Sequence, residues 1–226
     1  METIVYFIRH SVRLNNKNVI HEYNTSQSNN LKMEKIILSV TGEKRAEILS
    51  NEKELQNIDV VYTSNCVRTL QTAKYLLEKQ NLMVNIDERL DERRVGISNS
   101  DIYPDWFTRQ YLHKDYKTEG GESQIDVVKR MTEAFNEIVN KHKGKRIAIF
   151  SHGIAITFFL LNFCKLENIS QDKVMTYSFK GKQIFSKRIN SPDVFKLTLN
   201  DENEVINVEN IEFDDLEYDD FDVTKT

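Results

Sequence analysis

Hydrophobic residues in this chain fall into runs of two periods. Ile4-Val5-Tyr6-Phe7-Ile8 is five apolar or aromatic β-formers without alternation, and Arg146 to Phe150 repeats the pattern. Unbroken runs of this length read as strands buried on both faces, as in the middle of a parallel sheet. Asp59 to Thr63 and Val84 to Ile86 read as shorter strands. Between them the spacing turns helical. Thr41 offers an N-cap to a helix carrying Ala46, Leu49 and Leu55, and Ser64 caps a stripe of Cys66, Val67, Leu70, Ala73, Leu76 and Leu77. After Gly120-Gly121-Glu122-Ser123 comes a strongly amphipathic helix through Ile125, Val128, Met131, Phe135, Ile138 and Val139, ending near Gly144. Ile154 to about Phe163 is apolar nearly all round and predicts a helix deep in the core. Val174 to Phe179 and Val194 to Leu199 read as strands, the second pairing with Val205 to Val208 across the turn Asn200 to Asn203.

Alternating strands and helices predict an α/β fold: a three-layer α/β/α sandwich with a mostly parallel central sheet and a C-terminal hairpin on one edge. The 226 residues suffice for one large domain, taken as 1–211, with an insertion at about 97–120 and an acidic tail at 212–226. The insertion holds Tyr103, Trp106, Phe107, Tyr111 and Tyr116 and reads equally as a pocket cover or as a satellite apolar cluster; Arg109 and His113 lie within reach of a substrate there. His21 to Asn30 is polar and without periodicity, so it reads as a surface loop with His21 solvated.

Charge and cysteine content narrow the classes. Net charge is −4 with scattered basic residues, which argues against a nucleic-acid partner. Cys66 and Cys164 lack metal-like spacing and read as buried thiols of a reducing, cytoplasmic setting. No run approaches bilayer length, so no membrane association is expected.

Candidate chemistry sits where strands run out. Ligands of open α/β sheets bind outside the carboxyl ends of the strands. Arg9 and His10 follow the first strand; Arg68 lies in a first helical turn, where the helix dipole disfavours a cation and asks for an anion; His152 follows the strand ending at Phe150. Two arginines and two imidazoles suit a phosphate monoester, whose oxygens match guanidinium forks. Zinc is the weaker alternative, because its sites draw on more histidines, or on cysteines and carboxylates at short spacing.

With these residues in place, the chain resembles the histidine phosphatase superfamily, the phosphoglycerate mutase-like proteins. Arg9-His10-Ser11 is similar to its R-H-G signature, Ser64-x-x-x-Arg68-Thr69-x-x-Thr72-Ala73 to its second-arginine motif, and Leu90-x-Glu92-x-x-x-Gly96 to its acid-bearing motif. Gly121-Glu122-Ser123 and Ser151-His152-Gly153 complete the order, so the resemblance runs from Ile4 to about Phe163. It implies a phosphohistidine on His10, phosphoryl oxygens held by Arg9, Arg68 and His152, and Glu92 as proton donor and then base, with Asp91 the rival acid by proximity. No metal or other cofactor is implied.

Three departures from the pattern matter: Ser11 replaces the usual glycine, Arg13 stands where mutases carry a small hydroxyl residue, and no histidine-tyrosine pair follows the acid. Asn16 does match the mutase asparagine. Arg13 either extends the pocket toward a second anionic group or points to solvent. Hydrolysis of a small phosphorylated metabolite is the expectation. The alternatives are a mutase-type phosphotransferase and a phosphate-binding regulatory protein with little turnover.

Overall fold

The computed structural model describes residues 1–14, 33–96 and 105–213. Asn16, His21, the polar loop around them, Tyr103 and all but the first residues of the acidic tail lie outside the described residues.

A six-stranded sheet forms the middle layer, in the order β3-β2-β4-β1-β8-β9. Its strands are β1 (Thr3–Arg9), β2 (Val60–Thr63), β3 (Val84–Ile86), β4 (Arg146–Ser151), β8 (Val194–Leu199) and β9 (Val205–Ile211). β1, β4, β2 and β3 run parallel, and the β8–β9 hairpin adds two antiparallel strands beside β1. Side-chain alternation along β1 and β4 assigns the two faces. Val5, Phe7, Ile147 and Ile149 pack with α4 (Gln124–Lys141) and α5 (Gly153–Leu160), while Tyr6, Ile8, Ala148 and Phe150 pack with α1 (Val40–Leu49) and α2 (Val67–Gln80). The three-layer sandwich follows from this division. Among the described residues no helix is long and apolar enough to cross a membrane.

Several boundaries differ from the sequence reading. Ser39, not Thr41, caps α1, its hydroxyl accepting from the Gly42 amide at 3.0 Å. The helix stops at Leu49, and Leu55 belongs to a separate single-turn 3-10 helix, Lys53–Leu55. Cys66 holds the N-cap position of α2 in place of Ser64, although the Ser64 hydroxyl still accepts from the Cys66 amide at 3.2 Å. Gly42 lies against the chain just beyond His10. A Cβ on it would overlap the Val12 carbonyl, so only glycine lets α1 approach that loop.

A second sheet was not anticipated. β5 (Lys165–Ile169), β6 (Met175–Phe179) and β7 (Lys182–Lys187) form an antiparallel meander, of which only β6 has a buried apolar run. β5 and β7 flank it as largely exposed strands of mixed composition. The β6–β7 turn places Lys180 at φ 49° and Gly181 at φ 82°, the positive pair that a tight two-residue hairpin needs. In the predicted insertion, α3 (Trp106–Leu112) packs through Tyr111 onto Phe158, 4.8 Å between ring centroids, and the Tyr111 hydroxyl meets that of Thr157 at 2.7 Å. Phe213, at the start of the predicted acidic tail, is buried with the α1–α2 face.

Candidate active site

Three neighbouring strand ends build the site. β1 and β4 are in register from Ile4–Arg146 to Arg9–Ser151, so the residues that follow, His10 and His152, emerge side by side with ring centroids 5.2 Å apart. β2, on the far side of β4, ends at Thr63, and the amide of the next residue, Ser64, donates to the Phe150 carbonyl at 3.0 Å. Parallel pairing thus brings together residues 10, 64 and 152.

Hydrogen bonds define the protonation pattern of both imidazoles. His10 Nδ1 lies 2.7 Å from the Ser11 carbonyl oxygen, which can only accept, so Nδ1 carries the proton. The lone pair is then on Nε2. Burial first, then the charges of Arg68 and Arg9, hold His10 well below the ordinary imidazole range and keep it neutral. His152 has the same neutral state, held down by burial and then by Arg68, but the opposite arrangement. Arg68 donates to its Nδ1 at 2.9 Å, leaving Nε2–H to donate to the Ser64 hydroxyl at 2.8 Å. The Thr69 hydroxyl donates to the Cys66 carbonyl at 2.7 Å and stands 2.9 Å from the Ser64 hydroxyl, whose own proton it can accept. Both nitrogens of His152 are therefore engaged inside the protein, and one of them orients Arg68.

The arginines are anchored at one end and open at the other. Arg9 donates from one terminal nitrogen to the carbonyls of Ile189 at 2.6 Å and Asn190 at 3.3 Å; Arg68 donates to the Met33 carbonyl. The Nε–H groups of both are buried without an acceptor, as is the Ser11 hydroxyl. Burial pushes Arg9 down to about 10, with Glu92 opposing and Arg13 reinforcing the shift. Gly153 makes room for this guanidinium, since a Cβ there would stand 3.2 Å from Arg9 Nε.

Glu92 reaches the site from a charged loop that is not the solvated segment its composition suggests. Its carboxylate accepts from the amides of Arg93 at 2.8 Å, Ala155 at 3.0 Å and Ile154 at 3.4 Å, so it sits at the N-terminus of α5. Asp91 accepts from the Asn65 amide at 2.7 Å, and burial raises its carboxyl to about 6. Arg93 is 2% exposed, bonded through Nε to the Glu122 carbonyl at 2.8 Å, with neither terminal nitrogen paired. His10, Arg9, Arg13, Arg68, Asp91 and Glu92 all line one cavity of about 790 Å³, which Trp106, Phe107 and Tyr111 of the insertion also wall. The insertion is therefore both a pocket wall and a packed cluster. Arg109 and His113 are exposed and absent from that wall; Arg109 stacks 4.7 Å from the Tyr116 ring.

Sequence reasoning missed Arg130. From α4 it donates to the carbonyls of Arg89 and Asp91, both at 2.8 Å, and of Glu92 at 3.3 Å, clamping the backbone that carries both acids. The same guanidinium binds the Glu122 carboxylate at 2.9 and 3.0 Å. Burial pushes Glu122 up, but Arg130 and the Arg94 amide outweigh it and leave the carboxyl below its usual range. By its place at the entrance to α4, Glu122 would be expected only to complement the helix dipole. Its actual partner lies two helical turns away and could have been suspected only from the spacing of opposite charges along α4.

Cys66, Asp91 and His152 put potential ligand atoms within 4.8 Å of one another. The set fits a divalent cation poorly. Both His152 nitrogens are taken, one by the cationic Arg68, and burial raises the Cys66 thiol to about 11.

A parallel sheet that directs a neutral histidine and two half-paired arginines into one cavity makes an α/β fold with an anion-binding pocket at its strand ends. The chain belongs to the histidine phosphatase superfamily (branch 1), whose family model matches residues 5–177. It is 28% identical over 149 residues to phosphoserine phosphatase 1 of Hydrogenobacter thermophilus, covering 62% of this chain and 69% of that protein. It is 34% identical over 118 residues to phosphoglycerate mutase-like protein 4 of Arabidopsis thaliana, covering 48% and 50%. The chain thus spans only half to about two thirds of these relatives' lengths. Among solved structures, a mycobacterial glucosyl-3-phosphoglycerate phosphatase superposes with a TM-score of 0.66 at 16% identity, over 93% of this chain and 97% of that one. YhfR of Bacillus stearothermophilus gives 0.62 at 20%, over 90% and 95%. These two likenesses concern the fold.

Proposed function

We propose that the protein hydrolyses phosphomonoesters through a phosphohistidine on His10. The observation that carries this reading is that Arg9 and Arg68, each keeping a buried Nε–H without an acceptor, line one cavity with His10, whose lone pair is on Nε2. Buried donors of this kind call for an acceptor, and a phosphoryl group supplies three. His10 Nε2 attacks phosphorus while the bond to the ester oxygen breaks, and the two guanidiniums spread the charge of the transferring group. Because His152 spends both nitrogens on Arg68 and Ser64, its contribution is to aim Arg68.

Glu92 serves as the acid that protonates the departing alcohol oxygen and then as the base that takes a proton from the water releasing phosphate from His10. Glu92 and Asp91 both line the cavity; the amides of α5 hold the Glu92 carboxylate in place there, and the choice of Glu92 rests on the spacing Leu90-x-Glu92-x-x-x-Gly96. The substrate is a small phosphorylated metabolite, in keeping with the phosphatase names among the relatives, and the two free, buried thiols suit the cytoplasm. Mutase-named relatives favour a second reading, phosphoryl transfer between positions of a phosphorylated acid.

The test is phosphate release from phenyl phosphate in the presence of a chelator, native protein against His10→Ala, with trapping of an acid-labile, alkali-stable label. Chelator-resistant release and label that both vanish in the variant are expected. Activity that survives in His10→Ala would show that another group attacks phosphorus; label without release of phosphate to water would favour the mutase reading.

A further inference from the structure

We propose that Asp193 is a positioning residue for the phosphoryl site: its buried carboxylate closes the turn whose carbonyls hold the Arg9 guanidinium. This rests on the phosphoryl role given to Arg9 above and adds a residue that no motif marked.

Arg9 takes its orientation from main-chain acceptors. One terminal nitrogen donates to the carbonyls of Ile189 at 2.6 Å and Asn190 at 3.3 Å, while its Nε–H stays buried without an acceptor. A guanidinium held this way is placed only as well as the backbone that holds it. That backbone is a connection, residues 188–193 between β7 and β8, and connections lack the ladder bonds that fix a strand. Asp193 supplies the missing bonds. Its Oδ2 accepts from the Asn190 amide, three residues back, at 2.9 Å, which folds the segment onto itself. Its Oδ1 accepts from Asn210 Nδ2 at 2.7 Å, and the same nitrogen donates to the Val194 carbonyl at 3.0 Å, so β9 anchors the turn to the sheet. The Asp193 carbonyl accepts from the Arg9 amide at 2.9 Å, one step beyond the Ile8–Val194 pair of the β1–β8 ladder. Arg9 is therefore held at both ends: its main chain by the Asp193 carbonyl, its guanidinium by carbonyls that the Asp193 carboxylate fixes.

Charge acts in the same sense. Asp193 is 3% exposed, and its carboxylate faces donors: the two N–H groups and, at 3.9 Å, Lys187 Nζ. Burial pushes the carboxyl up, and Lys187, the Asn190 amide, Asn210 and Arg9 oppose it. Its charge favours the Arg9 cation, as does that of Glu92, against Arg13 and Arg68. Among the described residues that line the cavity, Glu92 is present and Asp193 is not, so the effect of Asp193 on a ligand there runs through Arg9.

The probe is phenylphosphonate, a non-hydrolysable analogue of phenyl phosphate, titrated calorimetrically into the full chain. Asp193→Ala should weaken binding about tenfold in the native background and less than about twofold in Arg9→Met, where nothing is left to position. In Arg68→Met the loss of about tenfold should persist. Asp193→Asn keeps one acceptor for the Asn190 amide and should fall between native and Asp193→Ala. If Asp193→Ala folds poorly, Asn210→Ala, which removes one donor to the carboxylate, enters the same cycle, with a smaller loss that again needs Arg9. An arginine Nε–H resonance that sharpens with the phosphonate and vanishes in Arg9→Met reports the same coupling without a cycle, and it should broaden or shift in the Asp193 variants. A loss of equal size with and without Arg9, no loss in any variant, or an Arg9 resonance indifferent to Asp193 overturns the proposal. Coupling without phosphate release from phenyl phosphate would sink the hydrolase reading and leave this one standing; release with independent Asp193 and Arg9 effects would do the reverse.

Discussion

Acidification should destabilise this fold mainly through its two site histidines. His10 and His152 are both held neutral, by burial first and then by Arg68, so each folded-state pKa lies well below the ordinary value. In the unfolded chain each titrates near 6.5. Between the folded and unfolded values the unfolded state binds more protons, and stability falls as pH falls. The histidines' contribution is therefore complete above the unfolded pKa and is drawn down below it. The loss on lowering the pH from about 7.0 to about 5.5 has this sign for each histidine, and the two contributions add. Asp91 acts with the opposite sign: burial raises its carboxyl to about 6, so the native state gains a proton as pH falls through that value and recovers part of the loss. Urea unfolding at the two pH values, in buffer free of phosphate and other oxyanions, measures the sum. The variants isolate the source, because His10→Asn and His152→Asn should each lose measurably less stability than the native protein across the same interval. Equal losses in native protein and both variants would mean that the imidazoles are already charged in the fold, and the neutral nucleophile would go with them.

Arg130→Met should cost about 3–5 kcal/mol, because it strands the buried Glu122 carboxylate and frees the backbone of residues 89–92. Adding Glu122→Gln should recover part of that loss in a double-mutant cycle, while kcat stays low as long as Glu92 is unclamped. Ser64→Ala leaves His152 Nε2–H without its acceptor, at about 1–3 kcal/mol. Imidazole ¹⁵N shifts should then show His152 losing its single tautomer, and phosphonate affinity should fall with it. An unchanged ¹⁵N pattern would show that Arg68 alone orients the ring. Gly42→Ala forces a methyl group against the Val12 carbonyl and should lower stability by about 1–3 kcal/mol in thermal or urea unfolding. A neutral result there would mean that α1 can withdraw from the loop after His10 without cost.

Much of this was legible in the residue order because local rules fix it. Unbroken apolar runs announced β1 and β4, and the polar residues directly after them, His10 and His152, had to emerge at the sheet's carboxyl edge. Ordered motifs then singled out Arg9, Arg68 and Glu92, and the cavity gathers all three. Local rules fail where stability comes from distant partners. β5 and β7 carry too few buried residues to declare themselves, and become strands by flanking β6. The charged run from Asp87 to Arg94 has the composition of a solvated loop, yet it is folded inward because Arg130 and the amides of α5 take up its carbonyls and its carboxylate. The tautomers of the two histidines likewise rest on a carbonyl, a guanidinium and a hydroxyl met only after folding. What the sequence alone determined is which groups stand at the strand ends, since period and order are properties of the chain. Which nitrogen attacks, which guanidinium atoms stay open, and which cations share the cavity belong to the tertiary structure, because each depends on an acceptor or a neighbouring charge far away along the chain.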